Sequence, residues 1–369
     1  MSVPHALRLA LLLALLATTV GAGDPKVVEG KWNKRDIPDG WVVTESEHYQ
    51  VQCQAGKEKA ALLAQHLESM WAVYAQFMPT RRKPETFVLK IFADRKGFVA
   101  YGENDKAIAY YNQSSKELVG YDTGMILGHR DVPAIVTVDA DVLAKLSEPE
   151  RQRVAELIEA ISDAYVPDTA RALSHEGWHQ YFHMYTVSWV DMPSWLDEGV
   201  GDYFYMASRD ETAGDEHGYR LGDLNPNRIR ALRRALIDGT TVDVRTLMSF
   251  TQEDYYKNPA VSYAQGWSLV QFLMHNSDPK FHDLVPRLIK DFKETKNFDK
   301  STDKVFKGID FKKLDRDWIG WVITQPYVDP ARQLALEFGD RIRPVDLTGE
   351  ERVIAAYTWH VNHPGVFEN

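Results

Sequence analysis

The segment Ala172-Leu-Ser-His-Glu-Gly-Trp-His-Gln-Tyr-Phe places two histidines four residues apart, with a glutamate directly after the first. On a helix, His175 and His179 fall one turn apart on one face, and their imidazoles can converge on one tetrahedral zinc ion. Glu176 is rotated by about 100° from His175 at 3.6 residues per turn. It stands outside that ligand set but within reach of a water at the ion, as a general base requires. An H-E-x-x-H pattern arises by chance in a chain of this length at a rate on the order of a few per cent. Further residues must therefore carry the argument.

They follow in Pro193-Ser-Trp-Leu-Asp-Glu-Gly-Val-Gly-Asp-Tyr-Phe. Eighteen residues, 180–197, separate His179 from Glu198. That length suits a turn between two antiparallel helices, which brings Glu198 back to the two imidazoles as a third ligand. Asp202 shares the face of Glu198 and can accept the free N–H of a ligating histidine, fixing its tautomer. Gly177, Gly199 and Gly201 cost a helix up to about 1 kcal/mol each relative to Ala, so a close helix approach is expected there. The bland alternative is two amphipathic helices with ordinary polar residues; it requires five matched positions to coincide.

The elements that must position these residues are legible as patterns. Residues 41–56 and 86–93 alternate as strands, and Leu63, Leu67, Met70, Tyr74 and Phe77 mark a helix over 57–77. Residues 103–130 read as loops around a short strand, and Val132–Val138 as a further strand with Pro133 near its start or at a sheet edge. From Ser147, which pairs with Glu150 as a capping box, the pattern turns helical. Val154, Leu157, Ile158 and Ile161 follow at helical spacing, and further helices are expected at about 168–185, 193–207, 226–238, 261–275 and 278–293, the last opened by Asp278-Pro279. The fold class is α+β: a small mixed α/β portion, 41–146, packed on a mainly helical portion, 147–325, that holds the site. Residues 23–40 read as an extended leader, and 326–369 as a tail with no assigned element.

H-E-x-x-H, eighteen residues, then Glu198 within W-L-x-E-G resembles the gluzincin clan of zinc metallopeptidases, nearest to the aminopeptidase N and leukotriene-A4-hydrolase branch. The E-x-x-x-D step from Glu198 to Asp202 is similar to thermolysin. The resemblance covers residues 168–275 and extends to uncharacterised secreted bacterial proteins with this peptidase-like domain. Tyr263-Ala-Gln-Gly-Trp resembles that branch's Y-x-K-G helix, with Gln265 in place of the lysine. The resemblance implies a zincin-type catalytic fold, one zinc ion per chain on His175, His179 and Glu198, and Glu176 as base. It also implies that Tyr263 donates its hydroxyl to a developing oxyanion. That branch's G-x-M-E-N segment, which anchors a substrate amine, has no counterpart; Val132–Val138 stands in the corresponding region. This strand could pair with an extended peptide or be a plain core strand.

The expected function is hydrolysis of peptide bonds in a peptide or protein substrate. A zinc hydrolase of another bond and a non-catalytic binding module on the same scaffold remain as alternatives. His183 is expected to pack or to support the site from behind. His360 and His363 belong to the tail. The single cysteine, Cys53, excludes an intramolecular disulfide framework and reads as a small buried apolar residue.

Net charge is −10, and the basic runs Arg81-Arg82-Lys83 and Arg233-Arg234 are short, so nucleic acid is not an expected partner. Residues 1–22 read as a cleavable signal peptide: a weakly positive start at His5 and Arg8, an apolar run Leu9–Ala17, and small residues at Val20 and Ala22. The alternatives are an uncleaved anchor or a buried helix. Export implies a secreted or periplasmic location. No later run reaches the roughly eighteen apolar residues of a membrane span. Oligomeric state has no signature.

Overall fold

The computed structural model describes residues 29–83, 85–102, 107–186, 192–209, 218–338 and 341–342. The signal-peptide reading, His360 and His363 lie outside them. The front portion is a five-stranded sheet in the order β1-β2-β3-β5-β4. Its strands are β1 (Val42–Glu45), β2 (Tyr49–Cys53), β3 (Phe87–Phe92), β4 (Ala109–Asn112) and β5 (Glu117–Tyr121). The three central strands run parallel, and β1 and β4 pair antiparallel at the two edges. Helix α1 (Lys57–Phe77) crosses from β2 to β3, and α2 (Arg95–Gly102) follows β3.

The period-2 alternation divides these strands between two environments. Tyr49, Val51, Cys53, Phe87, Leu89, Ile91 and Leu118 join the main core against Leu63, Leu67, Met70 and Tyr74 of α1. The opposite face carries Trp32, Trp41, Phe92, Phe98, Val119 and Tyr121 in a smaller apolar cluster. The same face also carries Gln50, Gln52, Lys90 and Glu117, all buried. Lys90 donates to Glu117, and the described part of the expected leader bonds the other three. Gly30 N–H donates to Glu117, Gln52 donates to the Gly30 carbonyl at 2.9 Å, and Gln50 exchanges two bonds with the Trp32 backbone. Residues 29–41 therefore bind across the sheet as a strap.

Two readings of this front portion change. The stretch 103–130 supplies two full strands, β4 and β5, and a short ladder of β6 (Met125–Ile126) with β7 (His129–Arg130). Val132–Val138 is not a strand. Pro133 has no N–H to offer a ladder. Ile135 and Val136 instead insert into an apolar cluster under the helix Glu148–Tyr165, where the Ile135 N–H donates to Ser162 Oγ at 3.1 Å.

The remainder is mostly helical: α3 (Ala140–Leu143), α4 (Glu148–Tyr165), α5 (Thr169–Tyr181), α6 (Ser194–Tyr205), α7 (Pro226–Ile237), α8 (Val244–Met248) and α9 (Gln252–Lys257). Then come α10 (Pro259–Met274), α11 (Leu284–Thr295), α12 (Phe298–Val305), α13 (Phe311–Thr324) and α14 (Pro330–Phe338). A short ladder, β8 (Ser208–Arg209) with β9 (Tyr219–Arg220), lies between α6 and α7. The expected single helix from 278 is split. Asp278 caps a 3-10 turn, Pro279–Phe281, and α11 begins only at Leu284. The tail does contain an element, α14, whose Leu334 and Phe338 pack in the α4 cluster. Among the described residues, no helix is long and apolar enough to cross a membrane.

Candidate metal centre

Helix α5 begins at Asp168, whose carboxylate accepts from the N–H groups of Ala170 and Arg171 and also from Leu127 and Gly128. One side chain thus caps the helix and ties it to the β6–β7 turn. On the other side His66 of α1 reaches Ser174 Oγ at 2.8 Å and the Ala170 carbonyl at 3.0 Å, and Tyr74 donates to the Ser174 carbonyl at 2.6 Å. Beyond Tyr181 the helix widens into a single π turn, Phe182–Thr186, which carries His183.

Helix α6 is pressed between α5 and α10 by the absence of side chains at three points. A Cβ on Gly199 would stand 2.7 Å from the Gly266 carbonyl oxygen of α10, and one on Gly266 would stand 3.0 Å from the Trp195 carbonyl oxygen. The two helices therefore cross backbone against backbone. Gly201 has another reason: its Cβ would lie 2.8 Å from Cε1 and 2.9 Å from Nε2 of His175. Gly177 faces the Tyr74 hydroxyl.

This packing brings together His175, His179 and Glu198. The Nε2 atoms of the two histidines are 3.0 Å apart, and Glu198 Oε2 lies 3.0 Å from the first and 3.5 Å from the second. Both Nδ1 atoms are turned away, onto carboxylates of α6: His175 Nδ1 is 3.1 Å from Asp202 Oδ1, and His179 Nδ1 is 3.0 Å from Asp197 Oδ1. Acceptors at Nδ1 hold a ring proton there and turn both Nε2 atoms inward, where either a second proton or a metal ion takes the lone pair. Three lone-pair donors then face one another within 3.5 Å. Zn–N bonds of about 2.0–2.1 Å in a tetrahedron put ligand atoms roughly 3.3–3.4 Å apart, so the donor set fits a zinc ion in chemistry and in span.

Electrostatics point the same way. Burial lowers the affinity of His175 for a proton, but the Asp202 and Glu198 carboxylates more than reverse this and lift its pKa to about 9. His179 is buried too, and Asp197 with Glu198 holds it well above the usual imidazole range. Burial alone would raise Glu198, yet the two imidazoles pull it well below the usual carboxylate range. Three carboxylates surround two imidazoles, and the centre favours added positive charge.

Asp202 is fixed from behind by Arg228 of α7, whose Nε and Nη2 donate at 2.6 and 3.2 Å. Arg228 also stacks on Tyr263, 4.9 Å from the ring centroid. A second grouping, His179, His183 and Asp197, shares a member with the first. There Asp197 already accepts from His179 and lies 3.5 Å from His183 Nε2, which accounts for it as a support of the first group.

A carboxylate oxygen of Glu176 lies within 4.8 Å of the His175 and His179 ligand atoms. Its Oε2 accepts the Tyr111 N–H of β4 at 2.9 Å. Burial raises its pKa, against the pull of the neighbouring histidines. Tyr263 stands one residue further out than its expected role implies. The hydroxyl that touches the ligand set belongs to Tyr256 of α9, 2.5 Å from Glu198 Oε1, and Tyr263 hydrogen-bonds to Tyr256.

Sequence reasoning missed Asp197, Arg228, Tyr256 and the Tyr111 amide. Asp197 had a signal, since it occupies the open position of W-L-x-E-G one residue from Glu198. Tyr256 and Arg228 arrive from separate helices with no spacing rule, and a backbone amide has no signature at all.

A family model described as "Protein of unknown function (DUF1570)" matches residues 169–292, from the first turn of α5 into α11. No curated protein and no solved structure matches the chain.

Proposed function

We propose that this protein is an exported zinc-dependent hydrolase of peptide bonds. The observation that carries the reading is the convergence of His175 Nε2, His179 Nε2 and Glu198 Oε2 within 3.5 Å, with both Nδ1 atoms committed to carboxylates. His175, His179 and Glu198 would hold the ion. When bound, zinc supplies Lewis acidity, lowering the pKa of water and polarising a carbonyl.

The chain's own residues supply the rest. Asp202 and Asp197 hold the imidazoles in the Nδ1–H tautomer and at fixed tilt. Glu176 has one oxygen engaged by the Tyr111 N–H, and the other would take the proton of a water held at the ion. Its raised affinity for protons suits a base that takes a proton from water and returns it to the leaving amine nitrogen. Tyr256 gives its one hydroxyl proton to Glu198 Oε1 and is hydrogen-bonded to Tyr263, so it orients the ligand carboxylate, and it would serve negative charge developing on a carbonyl oxygen only by releasing Glu198. The assignment to peptides is supported by β4, which forms one edge of the sheet beside α5, where an extended backbone can add as a further strand. Val132–Val138, not being a strand, has no such part.

The test is Glu176→Gln, assayed for bound zinc by elemental analysis and for cleavage of a peptide library. Zinc content should stay at one per chain while turnover falls by at least about a hundredfold. Unchanged hydrolysis would remove Glu176 from its role; a wild-type protein without zinc would remove the reading altogether.

A further inference from the structure

Beside the candidate centre, a cleft of about 320 Å³ opens past the C-terminal end of β4. Two of its lining residues belong to the site's surroundings. Tyr111 gives its N–H to Glu176, and its ring stacks on that of His183, with centroids 6.2 Å apart and planes 20° apart. His183 in turn leans on Asp197. The cleft thus starts where a chain lying along β4 leaves the centre.

Its far wall is basic. Arg82, Lys83 and Lys116 line it against a single carboxylate, Glu85. In a chain of net charge −10 this local excess of two positive charges is against the trend. Glu85 does not neutralise it: its oxygen is 3.8 Å from Lys116 Nζ, and both side chains are more than half exposed. Lys83 has no acidic partner among the described residues. Arg82 is oriented by its bond to the Met184 carbonyl at 2.7 Å.

The turn that presents Lys116 is held in place. The Lys116 carbonyl accepts from Gln180 of α5 at 3.1 Å, and the residue sits at φ 60°, in the left-handed region that favours Gly or Asn. A lysine at that position carries a backbone cost that a glycine avoids.

We infer that this cleft is a carboxylate-binding subsite that selects an acidic residue in the substrate, on the side of the cut bond that faces the C-terminal end of β4. This rests on the peptidase reading for the word substrate. The carboxylate comes from an Asp or Glu side chain or from the peptide's own C-terminus, and both present the same two oxygens to Arg82, Lys83 and Lys116.

Binding separates the subsite from turnover. Full-length zinc-loaded Glu176→Gln protein is titrated with fluorescent peptides that differ only by Glu or Gln at each position, with amidated C-termini, and with one all-neutral peptide bearing a free C-terminus. The Glu peptide is expected to bind about tenfold more tightly than its Gln counterpart at one position, with the difference shrinking in high salt. Lys83→Gln/Lys116→Gln should erase that difference and leave zinc content and thermal stability unchanged. Preference for the free C-terminus alone assigns the carboxylate to the chain end. Equal binding of all the peptides, or a preference that survives the double variant, overturns the subsite. Failure of the peptidase reading looks different: charge-selective binding persists, but the wild-type enzyme cuts none of the peptides.

Discussion

Gly201→Ala probes the centre without touching a ligand. A methyl at this position would sit 2.8–3.0 Å from Cε1, Nε2 and Nδ1 of His175, whereas ordinary contact begins near 3.4 Å. The imidazole must retreat by about 0.6 Å, three times the roughly 0.2 Å tolerance of a metal–ligand distance. Its Nε2 then leaves the triangle with His179 and Glu198, and its Nδ1 leaves Asp202, now 3.1 Å away. Losing one well-placed ligand or its support costs roughly ten- to a hundredfold in metal affinity, or about 1.4–2.7 kcal/mol. Folding stability should move the other way or not at all, because Ala in a helix interior gains about 1 kcal/mol over Gly and a side chain can yield where backbone cannot. Gly199→Ala is the contrasting control. Its methyl meets the Gly266 carbonyl at 2.7 Å, backbone on backbone, and should cost about 1–3 kcal/mol of stability. The assay is competition for zinc against a chelating dye, paired with thermal melts of the zinc-free proteins. Gly201→Ala binding zinc within threefold of wild type would refute the geometry on which the centre is built.

Two further outcomes follow from neighbouring residues. His66 is buried, and burial lowers its pKa from 6.5 to about 4. The folded state therefore holds it neutral while the unfolded chain takes up a proton. Stability is fully present above pH 6.5, is lost as pH falls toward 4, and should drop by about 2 kcal/mol by pH 5 from this residue. Denaturation at pH 5 and 7.5 checks it, and His66→Gln should flatten that difference. Tyr256→Phe removes the hydroxyl on Glu198 and should lower kcat about ten- to a hundredfold with zinc retained; Tyr263→Phe should cost less, since it acts through Tyr256. A larger loss in Tyr263→Phe, measured by steady-state hydrolysis, would reverse the order of the two tyrosines.

What was legible in the sequence was what obeys a period. The four-residue step from His175 to His179 and the matching step from Glu198 to Asp202 each place two side chains on one helix face, and α5 and α6 carry them as the spacing demands. The strand of 86–93 is legible by alternation, and those of 41–56 by their β-branched and aromatic residues. Val132–Val138 was misread because apolar β-branched residues look alike in a strand and in a loop whose side chains fill a gap. Only the α4–α14 cluster, a long-range contact, decides between them. The buried polar stripe Gln50, Gln52, Lys90 and Glu117 could not announce the strap that bonds it either, since the strap's Gly30 stands more than eighty residues before Glu117.

The same distinction explains why α6 matters more to the centre than its single ligand suggests. It provides Glu198 as a donor, Asp202 and Asp197 as acceptors for both imidazoles, and at Gly201 the space for one ring. Helix α5 supplies the rings, yet their tautomer and tilt are set from α6. Helix α6 is in turn placed by the Gly199–Gly266 crossing with α10 and by Arg228 on Asp202. On the zinc reading, metal affinity would therefore be coupled to packing energy at a contact well behind the three donors. A substitution there shifts one donor and two supporting carboxylates together, and no repacking confined to α5 can restore the triangle.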